Sequence, residues 1–251
     1  MTRHEMSASI VRCERQGTVV VTAVTLPPYC AAAHELGASA DANGVAPCIV
    51  VSASLSASCR EGAHVSLHED AWAGWAPSRR CDSPRCEWPC GYRQVWVLKT
   101  RLVSEVLTSG RDALVVDADW RFVASPLSFY RSLPRVAIIG LADRPTAEGH
   151  LINFGLMLIR SVPSTRRLFK RVANRSVVGE CPCDWSFGCS APALRPSLSA
   201  LVYPGWDQLI INEELLLWSA DGDSDADCCA ANQQLRDFFR RDERSHALKV
   251  C

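Results

Sequence analysis

Strand-length runs of apolar, largely β-branched residues alternate with helix-length segments along this chain, and that alternation leaves few folds open to it. TVVVTAVT, residues 18–25, is followed by Pro27-Pro28 and an alanine-rich stretch, and then by PCIVVSAS, residues 47–54. Such runs suit a sheet covered on both faces, and strands joined by helical crossovers run parallel. From Arg93 to Ser109, the residues Val95, Leu98, Leu102 and Val106 recur at steps of three and four, which marks one apolar helix face, and Gly110 stops the helix. ALVVDAD, residues 113–119, then gives a buried strand ending in two acids. VASPLSFYRSLP reads as a turn and short helix, and RVAIIGLA and INFGLMLIR read as strands. PSTRRLFKRVANR is a helix starting at Pro163, where the missing N–H is harmless, and WDQLIINEELLLWS is an amphipathic helix. The expected fold is α/β, a single Rossmann-like domain with a mostly parallel central sheet flanked by helices.

With 251 residues the chain is long enough for one large domain. We expect an N-terminal extension over 1–17, the domain over 18–218 with an irregular cysteine-rich insertion over 59–92, and an acidic, weakly ordered tail over 219–251. Lysine plus arginine equals aspartate plus glutamate at 27 each, so no global field draws the protein to nucleic acid, and any phosphate binding must be local. The first residues lack the apolar core of a signal peptide, and no stretch reaches the roughly 18 to 20 apolar residues that a bilayer span needs. Thirteen cysteines include the clusters Cys81, Cys86, Cys90 and Cys181, Cys183, Cys189. The spacing of Cys81, Cys86 and Cys90 lacks the paired C-x2-C and nearby histidine of a zinc knuckle, so disulfides in a secretory lumen are the better reading. Scattered cysteines also suit the core as small hydrophobes.

The chemistry concentrates at Asp117 and Asp119. Residues two apart on a strand point the same way, so both carboxylates would converge beyond the strand's carboxyl end, where open α/β sheets bind ligands. Hard oxygen donors there suit Mn²⁺ or Mg²⁺ with room for waters and a diphosphate. Alone, such a pair also serves simply to end a strand and cap the next turn.

The surroundings of the pair add to this. KTRLVSEVLTSGRDALVVDADWRFVASPLSFY resembles the core of the nucleotide-diphospho-sugar transferases of GT-A fold, glycosyltransferase family 77 in particular. Its features are Lys99 and Arg101 on a helix, Gly110, the acidic pair, an apolar stretch and Pro126-Leu127. INFGLMLIRSVPSTRRLFKR resembles the family's asparagine-x-glycine strand, with Asn153 and Gly155 in place, and GWDQLIINEELL resembles its aspartate-glutamine segment, with Asp207, Gln208 and Asn212.

The resemblance implies a glycosyltransferase moving a hexose or pentose from a UDP-sugar to an acceptor hydroxyl, with retention. Mn²⁺ or Mg²⁺ would sit on Asp117 and Asp119. Lys99, Arg101, Asp117 and Thr22 would contact the donor nucleotide, and Asn153, Asp207 and Gln208 would serve at the sugar. Partners would be the nucleotide-sugar and a glycan or glycoprotein acceptor, and the location the Golgi lumen. Solvated helix face is the plain reading for Lys99 and Arg101, backbone satisfaction for Asn153, and a helix N-terminal acid for Asp207. Trp72, Trp75 and Trp88 suit an acceptor sugar or simple packing. Two departures stand out: Ser52 and Ser54 replace the acid that commonly ends the second strand, and only His246 is available as a C-terminal histidine ligand. They motivate a rival, a nucleotide-sugar- or glycan-binding module without turnover. A D-x-D phosphatase fits poorly, since Trp120-Arg121 follows the acids.

Overall fold

A computed structural model describes residues 14–15, 17–45, 47–52, 55–60, 65–67, 90–146, 149–178, 210–212 and 214–215. The elements are β1 (Glu14–Arg15), β2 (Thr18–Val24), α1 (Cys30–Ala42), β3 (Pro47–Ser52), α2 (Ala57–Arg60), β4 (Val65–Leu67), α3 (Cys90–Thr108), β5 (Asp112–Val116), α4 (Leu127–Arg131), β6 (Ile138–Thr146), β7 (Gly149–Ile159) and α5 (Pro163–Val178). They build one sheet in the order β4-β3-β2-β5-β7-β6, with β1 antiparallel to the start of β2. β4, β3, β2 and β5 are mutually parallel, and β7 is antiparallel to both β5 and β6. All but β7 and β1 therefore run one way, and the expected α/β architecture with a mostly parallel sheet is observed.

Alternation along the strands sorts the core into two layers. Val19, Val21 and Ala23 of β2 and Ala113 and Val115 of β5 pack with Leu98, Leu102 and Val106 of α3 and Leu168, Phe169 and Val172 of α5. On the other face Val20, Leu114 and Val116 meet Leu36 and Ala40 of α1 and Leu127 and Tyr130 of α4. The stripe foreseen on α3 is therefore its core face. At its end Gly110, at φ 81, takes the left-handed turn that releases the chain into β5.

Two expectations need correction. The segment 59–92 is not wholly irregular: Val65–Leu67 forms β4, parallel to β3, and α3 begins at Cys90 rather than Arg93. The strand of the acidic motif ends at Val116, before Asp117. The segment WDQLIINEELLLWS is helical, as expected, at its described residues 210–212 and 214–215. Of the expected N-terminal extension, Glu14–Arg15 pairs with β2 as β1, while residues 1–13, the acidic tail, Cys81, Cys86 and the cluster around Cys181 lie outside the described residues. Cys30 and Cys59 form a disulfide across 29 residues, and Cys48 is disulfide-bonded as well, so these three are not free core thiols.

The two ends of β5 differ in kind. At its start Asp112 accepts hydrogen bonds from the Tyr130 hydroxyl (3.0 Å) and the Ser161 N–H (2.8 Å), while Arg160 stacks 4.0 Å from the Tyr130 ring and donates to three backbone carbonyls. Burial pushes the Tyr130 phenol far above its ordinary value, and the negative charge of Asp112 pushes the same way. This knot is structural. The far end of β5 carries the acids.

Candidate functional site

Asp117 leaves β5 with its N–H donating to the Gly155 carbonyl of β7 at 2.8 Å, and the Trp120 N–H closes a turn onto the Asp117 carbonyl at 3.2 Å. Asp119 is exposed within this turn. The expectation that strand alternation aims both carboxylates the same way is thereby replaced, because the acids share a turn. Ala118 between them is buried against Val24, Ala33, Ile49, Leu55 and Cys59. A buried centre flanked by two acids fixes the turn to the sheet's far face while leaving the carboxylates at its edge.

Lys99 of α3 donates to Asp117 Oδ1 at 2.8 Å. Its side chain is 5% exposed, against 43% for Asp117, and its ammonium sits 4.7 Å from the centre of the Phe154 ring. The solvated-face reading of Lys99 therefore does not hold. An ammonium that deep is stable only with a counter-charge, and Asp117 supplies it. Arg101, half-buried, lies two residues further along α3, about 200° round the helix from Lys99.

β7 is irregular just where it meets Asp117. Gly140 pairs with Met157 but Leu141 pairs with Asn153, so residues 154–156 are inserted relative to β6. The insertion shifts the alternation, which is why Phe154 and Met157 both reach the α3 side of the core. Gly155 lies at its centre: an added Cβ would stand 2.3 Å from Asp117 Oδ2 and 2.7 Å from Asn153 Oδ1. Asn153 Oδ1 accepts the Gly155 N–H, so its oxygen holds the bulge, as the plain reading of that residue has it.

The structure thus brings together Lys99, Asp117 and Asn153, around Gly155. Thr22 stands apart: it is 1% exposed on β2, its alternation matches Val20 and Val24 on the α1 side, and its hydroxyl has no hydrogen-bond partner among the described residues. Asp207, Gln208, His246, Ser54 and the tryptophans 72, 75 and 88 lie outside the described residues.

Two neighbours support the site: Asn212, which the family resemblance matches, and Glu214, which it does not. Asn212 donates to the Ile152 carbonyl at 2.9 Å and accepts the Ile152 N–H at 2.8 Å, acting as a strand partner where β5 has ended. Glu214, 4% exposed, receives Arg171 and Arg175 of α5 at 2.9 Å each. Together they pin the segment after Asp207-Gln208 to β7 and α5, beside Asn153. For Glu214 the signal is its polarity beside Ile210, Ile211 and Leu215.

Among the described residues no group of three or more histidine, cysteine, aspartate or glutamate side chains is placed to hold a metal. The acid turn nevertheless fits Mn²⁺ or Mg²⁺ in chemistry: two carboxylates give hard oxygen donors, and the cradle over Gly155, which a Cβ would fill, holds one of them in place.

An α/β sheet with acids at the carboxyl end of its central strand is the class of protein defined so far. A family model described as nucleotide-diphospho-sugar transferase matches residues 61–177, a span that holds Lys99, Asp117, Asp119, Asn153 and Gly155. Among solved structures, the apo form of mouse xyloside xylosyltransferase 1 is similar at 12% identity, covering 78% of this chain and 80% of that chain with a TM-score of 0.40. No curated protein matches the chain. No helix of the described residues is long and apolar enough to cross a membrane.

Proposed function

We propose that the protein is a glycosyltransferase that moves a sugar from a UDP-sugar to a hydroxyl of a glycan or glycoprotein acceptor. The observation that carries this reading is the overlap of two facts: the transferase family model spans 61–177, and within that span Lys99, Asp117, Asn153 and Gly155 converge at one sheet edge. Asp117 and Asp119 would hold Mn²⁺ or Mg²⁺. When bound, such a cation neutralises the charge that develops on the departing diphosphate.

The chain's own residues supply the rest. Lys99 brings a fixed positive charge from the interior to the diphosphate, and because it is desolvated that charge acts in a medium where it is strong. The donor contacts expected of Arg101 and Thr22 find less support, since Arg101 lies about 200° round α3 from Lys99 and Thr22 is 1% exposed within the sheet. Asn153 contacts the sugar through its amide nitrogen, its oxygen being held by Gly155. Asp207 would act at the anomeric carbon with Gln208 orienting it, and transfer would proceed with retention, from a hexose or pentose donor. The Cys30–Cys59 disulfide suits an oxidising lumen such as the Golgi.

The test is release of UDP from a panel of UDP-sugars with Mn²⁺, comparing the protein with Asp119→Asn. The reading expects release by the first and none by the second. Equal release by the variant removes the acid pair from the mechanism. A second reading, a binding module without turnover, is motivated by Ser52 at the end of β3, where the family resemblance implies an acid. Calorimetry that finds UDP binding, with no transfer or hydrolysis across the panel, decides for it.

A further inference from the structure

We propose that Ser39 and Asn43 of α1 are positioning residues for the acid turn, which fix where Asp119 meets its cation by holding both backbone groups of Phe122. This rests on the reading of Asp117 and Asp119 as the cation site. The two acids are held unequally. Asp117 is fixed through its own atoms, by Lys99 on a carboxylate oxygen and by the Gly155 carbonyl on its N–H. The Asp119 side chain makes no hydrogen bond or ion pair among the described residues, so the backbone on either side of it decides its place.

On the entry side that backbone is anchored at Asp117 and by the buried Ala118. On the exit side Trp120 and Phe122 rest, partly buried, against the layer of Leu36 and Leu127, and apolar contact of this kind has no direction. The directional contacts come from α1. Ser39 Oγ accepts the Phe122 N–H at 3.1 Å, and Asn43 Nδ2 donates to the Phe122 carbonyl at 2.9 Å. Both side chains are themselves oriented, since the Ser39 hydroxyl donates to the Leu36 carbonyl at 2.9 Å and Asn43 Nδ2 also donates to the Ser39 carbonyl at 2.8 Å. The hydroxyl hydrogen and both amide hydrogens are thus committed, and neither group can turn away without losing a bond within its own helix. Acceptor and donor together meet Phe122 as a neighbouring strand would, just as Asn212 meets Ile152. The ion pair of Arg121 with Glu35 joins the same two segments, but at 65% and 55% exposure it holds no backbone and contributes little.

Calorimetry of Mn²⁺ in the presence of UDP tests this on the unmodified protein, Ser39→Ala and Asn43→Ala. Each variant should bind Mn²⁺ about tenfold more weakly, the lower end of what the supports of a metal ligand are worth. Ser39→Thr, which keeps the hydroxyl, and Glu35→Gln, which breaks only the exposed ion pair, should both stay within about twofold of the unmodified protein. A loss in either of these as large as in the alanine variants overturns the clamp on Phe122 as the cause. Full affinity in either alanine variant overturns the positioning and leaves the cation site standing. No Mn²⁺ binding by the unmodified protein overturns the cation site itself, and the positioning with it. Hydrogen exchange at the Phe122 amide of the unmodified protein serves where an alanine variant fails to fold. By linkage, a clamp that favours the cation about tenfold is favoured by it to the same degree, so Mn²⁺ with UDP should slow this exchange about tenfold relative to UDP alone. A rate indifferent to Mn²⁺ overturns the proposal.

Discussion

Gly155 and Asp117 lie so close that a Cβ on the first would stand 2.3 Å from Oδ2 of the second. The backbone of β7 is the wall against which the carboxylate rests, and it also accepts the Asp117 N–H. Gly155→Ala should push Asp117 off this wall, at an overpacking cost of about 1–3 kcal/mol in urea unfolding. If Asp117 is a cation ligand as proposed, Mn²⁺ affinity should fall by more than about tenfold, since its carboxylate is moved by a fraction of an ångström or more. Mn²⁺ affinity equal to that of the unmodified protein would show that the wall does not position the acid.

Asn212 substitutes for a missing strand by pairing both backbone groups of Ile152. Asn212→Ala leaves a buried N–H and a buried C=O without partners, which should cost about 2–4 kcal/mol. Chemical denaturation measures the loss. Hydrogen exchange at the Ile152 amide should rise ahead of global unfolding, and unaltered protection there would contradict the pairing.

Glu214 is 5% exposed in its side chain, whereas its partners Arg171 and Arg175 are 41% and 36% exposed. Loss of either side of this cluster is therefore unequal. Glu214→Gln leaves two guanidinium groups that water reaches, and should cost about 1–2 kcal/mol. The pair Arg171→Ala, Arg175→Ala leaves a buried carboxylate uncompensated, and should cost about 3–5 kcal/mol. Thermal melts of the two proteins would refute this if the order were reversed.

Tyr130 gives the fold an alkaline limit. Burial and the neighbouring Asp112 raise its phenol above the ordinary value of 10.0, so the folded protein holds the proton more tightly than the unfolded chain. The sign follows from linkage: this contribution is complete below pH 10.0 and is lost as the pH rises past that value toward the folded one. Tyr130→Phe should lower stability by about 1 kcal/mol at pH 7 through the lost hydrogen bond to Asp112. Its stability should then fall less steeply than that of the unmodified protein above pH 10.0, as followed by urea midpoints. Parallel decline of the two would show that Tyr130 titrates freely.

Much of the scaffold is legible because its signals are local. β-branched runs announce β2, β3 and β5, the three-and-four spacing announces α3, and Gly110 marks a stop that needs no tertiary knowledge. β4 is missed because three residues at a sheet edge carry no period, and their only identity is their pairing with β3. The bulge at Gly155 is hidden in INFGLMLIR, since a phase shift within an unbroken apolar run changes which residues face α3 without changing the run. Lys99 looks like a solvated helix residue until Asp117 and Phe154 are placed beside it, and no spacing rule reports a partner eighteen residues away. The acids themselves are visible in the sequence, but the turn that carries them is not, because alternation holds only while the strand lasts.

Ala118 sits between the two acids and packs into the cluster that contains Cys59, partner of Cys30. The spacing of Asp117 and Asp119 is therefore backed, through one methyl group, by a covalent bond on the opposite face of the sheet. Two preparations identical in sequence, one oxidised and one reduced, would present the same carboxylates on supports of different stiffness. The acid turn carries a record of the conditions under which its chain was made.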